Sequence, residues 1–416
     1  MQRPPPLPRL TPQSYSGQEP EEKSVQLFRC QACEQVLYFE NRQCTRCGHR
    51  LGFLPERSTL AAVEPEGDGW RTLDASSSQV RFCVNAEQDA CNWLVSDGQK
   101  LCLACRHNLT IPTLSQGANL ERWRKVEQAK HRLFYTLLRL GLPLKTRAED
   151  PAHGLAFDIL AEPRPGETKV LTGHDEGLIT LNLAEADDVE RERMREEMGE
   201  PYRTVLGHFR HEIGHHYWDV LVRNAPDAEA RLEACRAVFG DDRADYQEAL
   251  KIHYANGAPA DWQEHFVSAY ATTHPWEDFA ETWAHYLHIV DTLETAAAFG
   301  VDLHPIASSD DSLVAEIHFD PHNPGAFEKL MEAWLPLTLA VNSLNRSMGQ
   351  PDLYPFVLSP SAIEKLAYVH ALIHDTCVPA MTSIPGNPDQ TAADDMPEAI
   401  CADEVKQPAP AEAVSA

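Results

Sequence analysis

The sequence predicts an α+β fold, with a β-rich N-terminal segment organised by metal and then a mainly helical domain with a small sheet. Three observations predict it. Eight of the 11 cysteines fall between Cys30 and Cys105. From residue 119 onward apolar residues recur at helical spacing over most of the chain. Only two short runs there, Leu155 to Leu160 and Gly177 to Leu183, have the composition of strands.

The chain has 416 residues, with 36 Lys and Arg against 63 Asp and Glu, so its formal charge is 36 − 63 = −27. Hydrophobic residues make up 43%, enough for one or two cores. The excess of acid argues against nucleic acid as a partner, because gripping phosphates needs clustered Lys and Arg. The first 20 residues contain Pro-Pro-Pro-Leu-Pro and no apolar h-region. No run reaches the roughly 18 apolar residues of a membrane helix; the longest, Leu133 to Leu144, contains Arg139. A soluble, cytoplasmic protein without a membrane partner is expected, where reduced cysteines gather around metal rather than in disulfides. The ends, 1–24 and 381–416, are polar and Pro-rich and are expected to be disordered. That leaves a cysteine-rich module over 25–115, read below as a zinc ribbon from its spacing, and a second domain over 116–380.

Cys30-x-x-Cys33 and Cys44-x-x-Cys47 have the spacing of two knuckles around one tetrahedral structural zinc. Tyr38, Phe39 and Gly48 suit a short hairpin core. Cys83, Cys91, Cys102 and Cys105 supply a second structural zinc, with one tight half and one wider half. Saturated four-thiolate sites have no open position, so they hold the fold and do no chemistry. Their surface could still take a protein partner. Arg29, Arg42, Arg46, Arg50 and Arg57 against Glu34, Glu40 and Glu56 is too small a cluster for nucleic acid.

Asn119 is expected to cap a helix carrying Trp123, Val126, Leu133, Leu137 and Leu138, stopped by Gly141 and Pro143. The two strand-like runs follow as a small sheet. Gly177 to Leu183 reads either as a core strand or as the edge along which an extended peptide pairs. Ala184 to Glu200, with eight acids and three arginines, reads as a solvated helix. Pro201 is expected to start a helix running to about Asn224. Further helices are expected over Ala228 to Phe239 and Tyr246 to Tyr254.

The helix near Tyr202 contains His211-Glu212-Ile213-Gly214-His215. A spacing of four places both imidazoles on one face, where they can share a zinc, and Glu212 stands one step round, where it can activate a water on the metal. Val205, Phe209, Ile213 and Tyr217 form the apolar stripe that buries such a helix. His208 with His211 is an alternative pair at spacing three. A catalytic zinc needs a third protein ligand. The stretch His274-Pro275-Trp276-Glu277-Asp278-Phe279-Ala280-Glu281 offers two carboxylates one turn apart, one for the metal and one for the free N–H of a ligand histidine.

These motifs resemble the gluzincin metallopeptidases, above all the lethal-factor-like and titration-factor-like branches, whose second helix reads roughly Glu-x-Phe-Ala-Glu. The resemblance implies a zincin-like peptidase domain with Glu277 as third ligand and Glu281 behind a histidine. It also implies Tyr270, seven residues before the ligand, as the group that steadies an oxyanion. Over about residues 25–380 the chain is also similar to a bacterial family of zinc-binding metallopeptidases with an N-terminal zinc ribbon. Together these imply one catalytic and two structural zincs and a peptide or protein substrate cut by water that Glu212 activates. The 62 residues from His215 to Glu277 (277 − 215) exceed the spacing of compact gluzincins, so the intervening helices form an insertion. Two rival readings stand beside this one. One is a non-catalytic adaptor; the other is a SprT-like, nucleic-acid-associated protease, which would use a third histidine. His285, His288, Trp218, Trp262, Trp283, Trp334, Cys235 and Cys377 are expected to be packing residues.

Overall fold

The computed structural model describes residues 27–375 apart from 97, 162–169, 171, 199–201 and 307–310. Both ends expected to be disordered, together with Cys377, lie outside the described residues.

Strands β1 (Leu27–Arg29) and β2 (Val36–Tyr38) form a hairpin around the first cysteine knuckle. Then β3 (Arg50–Leu54), β4 (Thr59–Glu66), β5 (Gly69–Thr72), β6 (Gln79–Phe82) and β7 (Leu94–Val95) pair antiparallel in chain order. Alternation along β3 and β4 gives this sheet two apolar faces. Leu51, Phe53, Leu60 and Ala62 join the main core, while Leu54, Ala61 and Val63 close on Val80 and Leu94. Of the pair expected in the hairpin core only Phe39 is buried; Tyr38 is 55% exposed. Phe39 packs edge-on against Phe53 at 5.0 Å between ring centroids and meets Tyr135 at 5.3 Å.

Strand β8 (Asn108–Thr110) leaves the cysteine-rich segment and leads to α1 (Asn119–Arg139). Asn119 is the first residue of this helix rather than its cap: Ala118 holds the cap position, and the Asn119 amide donates to the Thr113 carbonyl at 3.1 Å. Strands β9 (Ala156–Leu160), β10 (Gly173–Asp175) and β11 (Leu178–Asn182) complete a four-stranded sheet in the order β10-β11-β9-β8. β8 and β11 both run parallel to β9, and β10 is antiparallel to β11. β11 is therefore interior, which corrects the edge reading of Gly177 to Leu183; among the described residues the edge near the helices is β10.

The acidic stretch forms α2 (Asp188–Met198). Next, α3 (Val205–Trp218) begins later than Pro201, because Thr204 Oγ1 accepts from the Gly207 N–H at 2.9 Å and caps it there. Its last turn widens into a π-helical turn, Asp219–Arg223. The insertion comprises α4 (Ala228–Phe239) and α5 (Tyr246–Asn256). Pro275 opens α6 (Pro275–Ala298), where the His274 side chain accepts from the Trp276 N–H at 3.1 Å. A small hairpin of β12 (Asp302–Leu303) and β13 (Ala315–Glu316) precedes α7 (Phe327–Ser347) and α8 (Pro360–His374). One continuous apolar core runs from Phe28 in the hairpin through α1, α3 and α6 to Val369 in α8. No described helix is long and apolar enough to cross a membrane.

Candidate metal centre

The site forms where α3 lies against α6. Phe209, Ile213 and Tyr217 are fully buried on one side of α3, which leaves His211 and His215, one turn apart, facing the start of α6. Gly214 lets the helices close: a Cβ there would stand 3.0 Å from the Ala280 Cα. His211 Nε2 and His215 Nε2 are 3.2 Å apart, and Glu277 Oε2 lies 3.0 Å from the first and 3.5 Å from the second. A tetrahedral zinc with bonds of about 2.0–2.1 Å needs ligand atoms roughly 3.4 Å apart, so this donor set fits.

The hydrogen bonds around the triangle point the same way. Behind it, His211 Nδ1 donates to Glu281 Oε1 at 2.7 Å, and Ser268 Oγ donates to Glu281 Oε2 at 2.6 Å. With its proton on Nδ1, a neutral His211 turns a lone pair toward the Glu277 oxygen. Glu277 Oε2 is itself buried, and among the described residues it faces only the two imidazole Nε2 atoms. His211 Nε2 and Glu277 Oε2 are satisfied either by a metal cation between them or, on a charged His211, by a proton on Nε2. Burial opposes charge on His211, yet Glu277 and Glu281 outweigh it and hold the imidazole well above its usual pKa. Burial likewise opposes the Glu277 carboxylate, and the two histidines still hold it well below the usual range. The His215 ring is clamped by Trp276, with centroids 3.8 Å apart, and by His174 of β10 at 6.1 Å.

Glu212 is buried beside this triangle and makes no hydrogen bond or ion pair with any described residue. Tyr270, in the 3-10 turn Tyr270–Thr273, lies with its ring 6.0 Å from that of His211, and burial and the Glu277 charge keep its phenol protonated. His208 stands apart, paired with Glu185, so the His208–His211 alternative is not assembled. His285 bonds the Tyr354 hydroxyl at 2.6 Å and His288 meets Arg210 at 2.5 Å, both away from the triangle.

Two groups at the site were not found from the sequence. Tyr246 of α5 donates to Glu277 Oε1 at 2.5 Å, and Ser268 holds Glu281 as described. Neither belongs to a spaced motif; each reaches the site from a separate segment, and no periodicity marks it.

The cysteines group four and four. Cys30 and Cys47 sulfurs are 3.6 Å apart, as are those of Cys33 and Cys44, and those of Cys91 and Cys102 are 3.7 Å apart. Thiolates around zinc, with bonds of about 2.3 Å, stand roughly 3.8 Å apart, so both sets fit a zinc. Hydrogen bonds from the backbone and ring of His49 lower the Cys47 thiol to about 6. In the second set His131 of α1 places Nε2 3.2 Å from Cys91 Sγ, with Nδ1 donating to the Glu127 carbonyl at 2.6 Å. This histidine, 26 residues beyond Cys105 (131 − 105), also escaped the sequence reading.

Comparison with known proteins gives the family. The family described as "Putative zinc-binding metallo-peptidase" matches residues 119–372, and a zinc-ribbon domain family matches residues 27–116. Uncharacterized proteins of Mycobacterium tuberculosis and Mycobacterium bovis are 43% identical over 350 residues, covering 84% of this chain and 95% of theirs. No solved structure matches the chain.

Proposed function

The chain belongs to this family of zinc-binding metallopeptidases, and we propose that it is a gluzincin-type peptidase whose catalytic zinc is held by His211, His215 and Glu277. The observation that carries this reading is the triangle of Nε2, Nε2 and Oε2 atoms at 3.0–3.5 Å, next in sequence to a buried Glu212 that pairs with no described residue. When bound, zinc supplies Lewis acidity that makes water nucleophilic near neutral pH and polarises a peptide carbonyl. Glu212 accepts the proton of the attacking water and delivers it to the leaving amine. Tyr270 donates its hydroxyl to the oxygen on which charge develops. Glu281, fixed by Ser268, keeps the proton of His211 on Nδ1 and its ring in place. The edge strand β10, beside His215, receives an extended segment of substrate. Two further zincs, on Cys30, Cys33, Cys44 and Cys47 and on Cys83, Cys91, Cys102 and Cys105, hold the fold. The cytoplasm, which keeps such thiols reduced, is the compartment this implies.

Native mass spectrometry and a peptide library test the reading together. The expected result is three zincs, one of them removed by a mild chelator. Cleavage should be lost with that zinc and fall at least about 100-fold in Glu212→Gln, which keeps all three metals. Two zincs only, or undiminished cleavage by Glu212→Gln, would overturn it.

A further inference from the structure

Helix α5 lies over the metal centre but is hardly packed into the protein: none of its residues is buried. Gly240 and Gly257 bracket it, with φ of +99° and +73°, backbone conformations that residues with a Cβ rarely adopt. Polar contacts to other described residues dock the segment. His274 Nε2 donates to the Ala244 carbonyl at 3.1 Å, Thr272 Oγ1 lies 3.3 Å from His253 Nδ1, and the Tyr246 hydroxyl donates to Glu277 Oε1. The Tyr246 ring stands edge-on to His274 and Trp276, with centroids at 5.4 and 5.8 Å.

We propose that Tyr246 is a positioning residue for Glu277, and that through it the α5 segment sets how tightly the centre holds zinc. A carboxylate is free to rotate and to offer a metal either oxygen or both. The Tyr246 hydroxyl occupies Oε1, which leaves Oε2 as the oxygen facing both imidazoles. This removes rotational freedom that metal binding would otherwise have to freeze. Linkage makes the effect reciprocal: a latch that strengthens zinc binding is itself strengthened by zinc to the same degree. The segment between the two glycines thus closes more firmly on a loaded centre than on an empty one. This inference rests on the zinc reading of His211, His215 and Glu277.

The test is zinc affinity rather than turnover. The full-length protein is titrated with zinc against a chelator of known affinity, alongside Tyr246→Phe and, as control, Lys251→Ala on the solvent side of the same helix. Tyr246→Phe should weaken the labile zinc by about 10–100-fold and leave both cysteine-bound zincs in place, while Lys251→Ala should match the parent. An unchanged affinity in Tyr246→Phe overturns the proposal and leaves the peptidase reading standing. Absence of any third zinc in the parent overturns the peptidase reading and this inference with it. Should Tyr246→Phe fail to fold, the unmodified chain decides. Amide exchange across residues 246–256 must slow on loading the labile zinc, and equal rates with and without it overturn the proposal.

Discussion

Gly214 and Ala280 meet backbone to backbone: a Cβ on Gly214 would stand 3.0 Å from the Ala280 Cα and 3.1 Å from the Trp283 Cβ. Neither residue carries chemistry, but their contact sets how near the histidines of α3 come to the carboxylate of α6. Gly214→Val should therefore cost on the order of 1–3 kcal/mol of stability, the usual penalty of overpacking, and splay the helices. A lowered thermal midpoint together with weaker binding of the labile zinc would show both effects. A variant that loses stability but keeps its zinc affinity would uncouple the contact from the site.

Glu281 is held from two sides, by His211 Nδ1 and by Ser268 Oγ. Glu281→Gln replaces a charged acceptor by an amide and should weaken the labile zinc by about 10–100-fold, with a smaller loss in Ser268→Ala. Chelator competition measures both, and parental affinity in Glu281→Gln would mean that the His211 ring needs no partner behind it.

Acid should destabilise the fold through His285. Burial lowers its pKa to about 4, although the Glu281 charge one turn away acts in the opposite direction. Its ring also faces the Tyr354 hydroxyl and His288. The unfolded chain, with a histidine near about 6.5, binds more protons between these two values than the folded one. Stability contributed by the neutral ring is thus complete above about pH 6.5 and falls as pH drops toward 4, by up to roughly 1.4 kcal/mol per unit. Thermal midpoints at pH 7, 6 and 5 should decline more steeply in the parent than in His285→Gln, since metal effects common to both cancel in the difference. Parallel slopes would remove His285 from the account.

The second cysteine set touches α1 through His131, and α1 packs on α3. Cys102→Ser should consequently lower the melting of the whole chain and loosen the labile zinc as well. Calorimetry would show a single transition moved downward. An unmoved transition from the helical part would establish that it stands alone.

Much of this site could be read from spacing, because helical geometry is local. Four residues separate His211 from His215 and Glu277 from Glu281, so each pair shares a face wherever its helix lies. Cys30-x-x-Cys33 and Cys44-x-x-Cys47 are legible for the same reason. The helix bounds Ala228 to Phe239 were also readable, since Asp227 and Gly240 flank an unbroken run. What escaped depends on how distant segments meet. Tyr246, Ser268 and His131 each act on a partner in another element, and nothing within their own windows announces it. β11 was ambiguous because an interior strand and an edge strand share the same alternation, and only the pairing of β10 decides between them. Asn119 has the chemistry of a cap, but the turn before it starts the helix one residue earlier and leaves its amide to Thr113.

The parallel pairing of β8 with β9 bears on how such a protein can be divided. A cut at residue 116 would carry away Asn108–Thr110 and strip Ala156–Leu160 of a neighbour, turning a covered strand into a bare template for self-association. It would also uncover the aromatic face that Tyr135 turns toward Phe39 and Phe53. The cysteine-rich segment and the helical segment thus share one sheet and one core, and a chain divided between them should expose on each side surface that the other now covers.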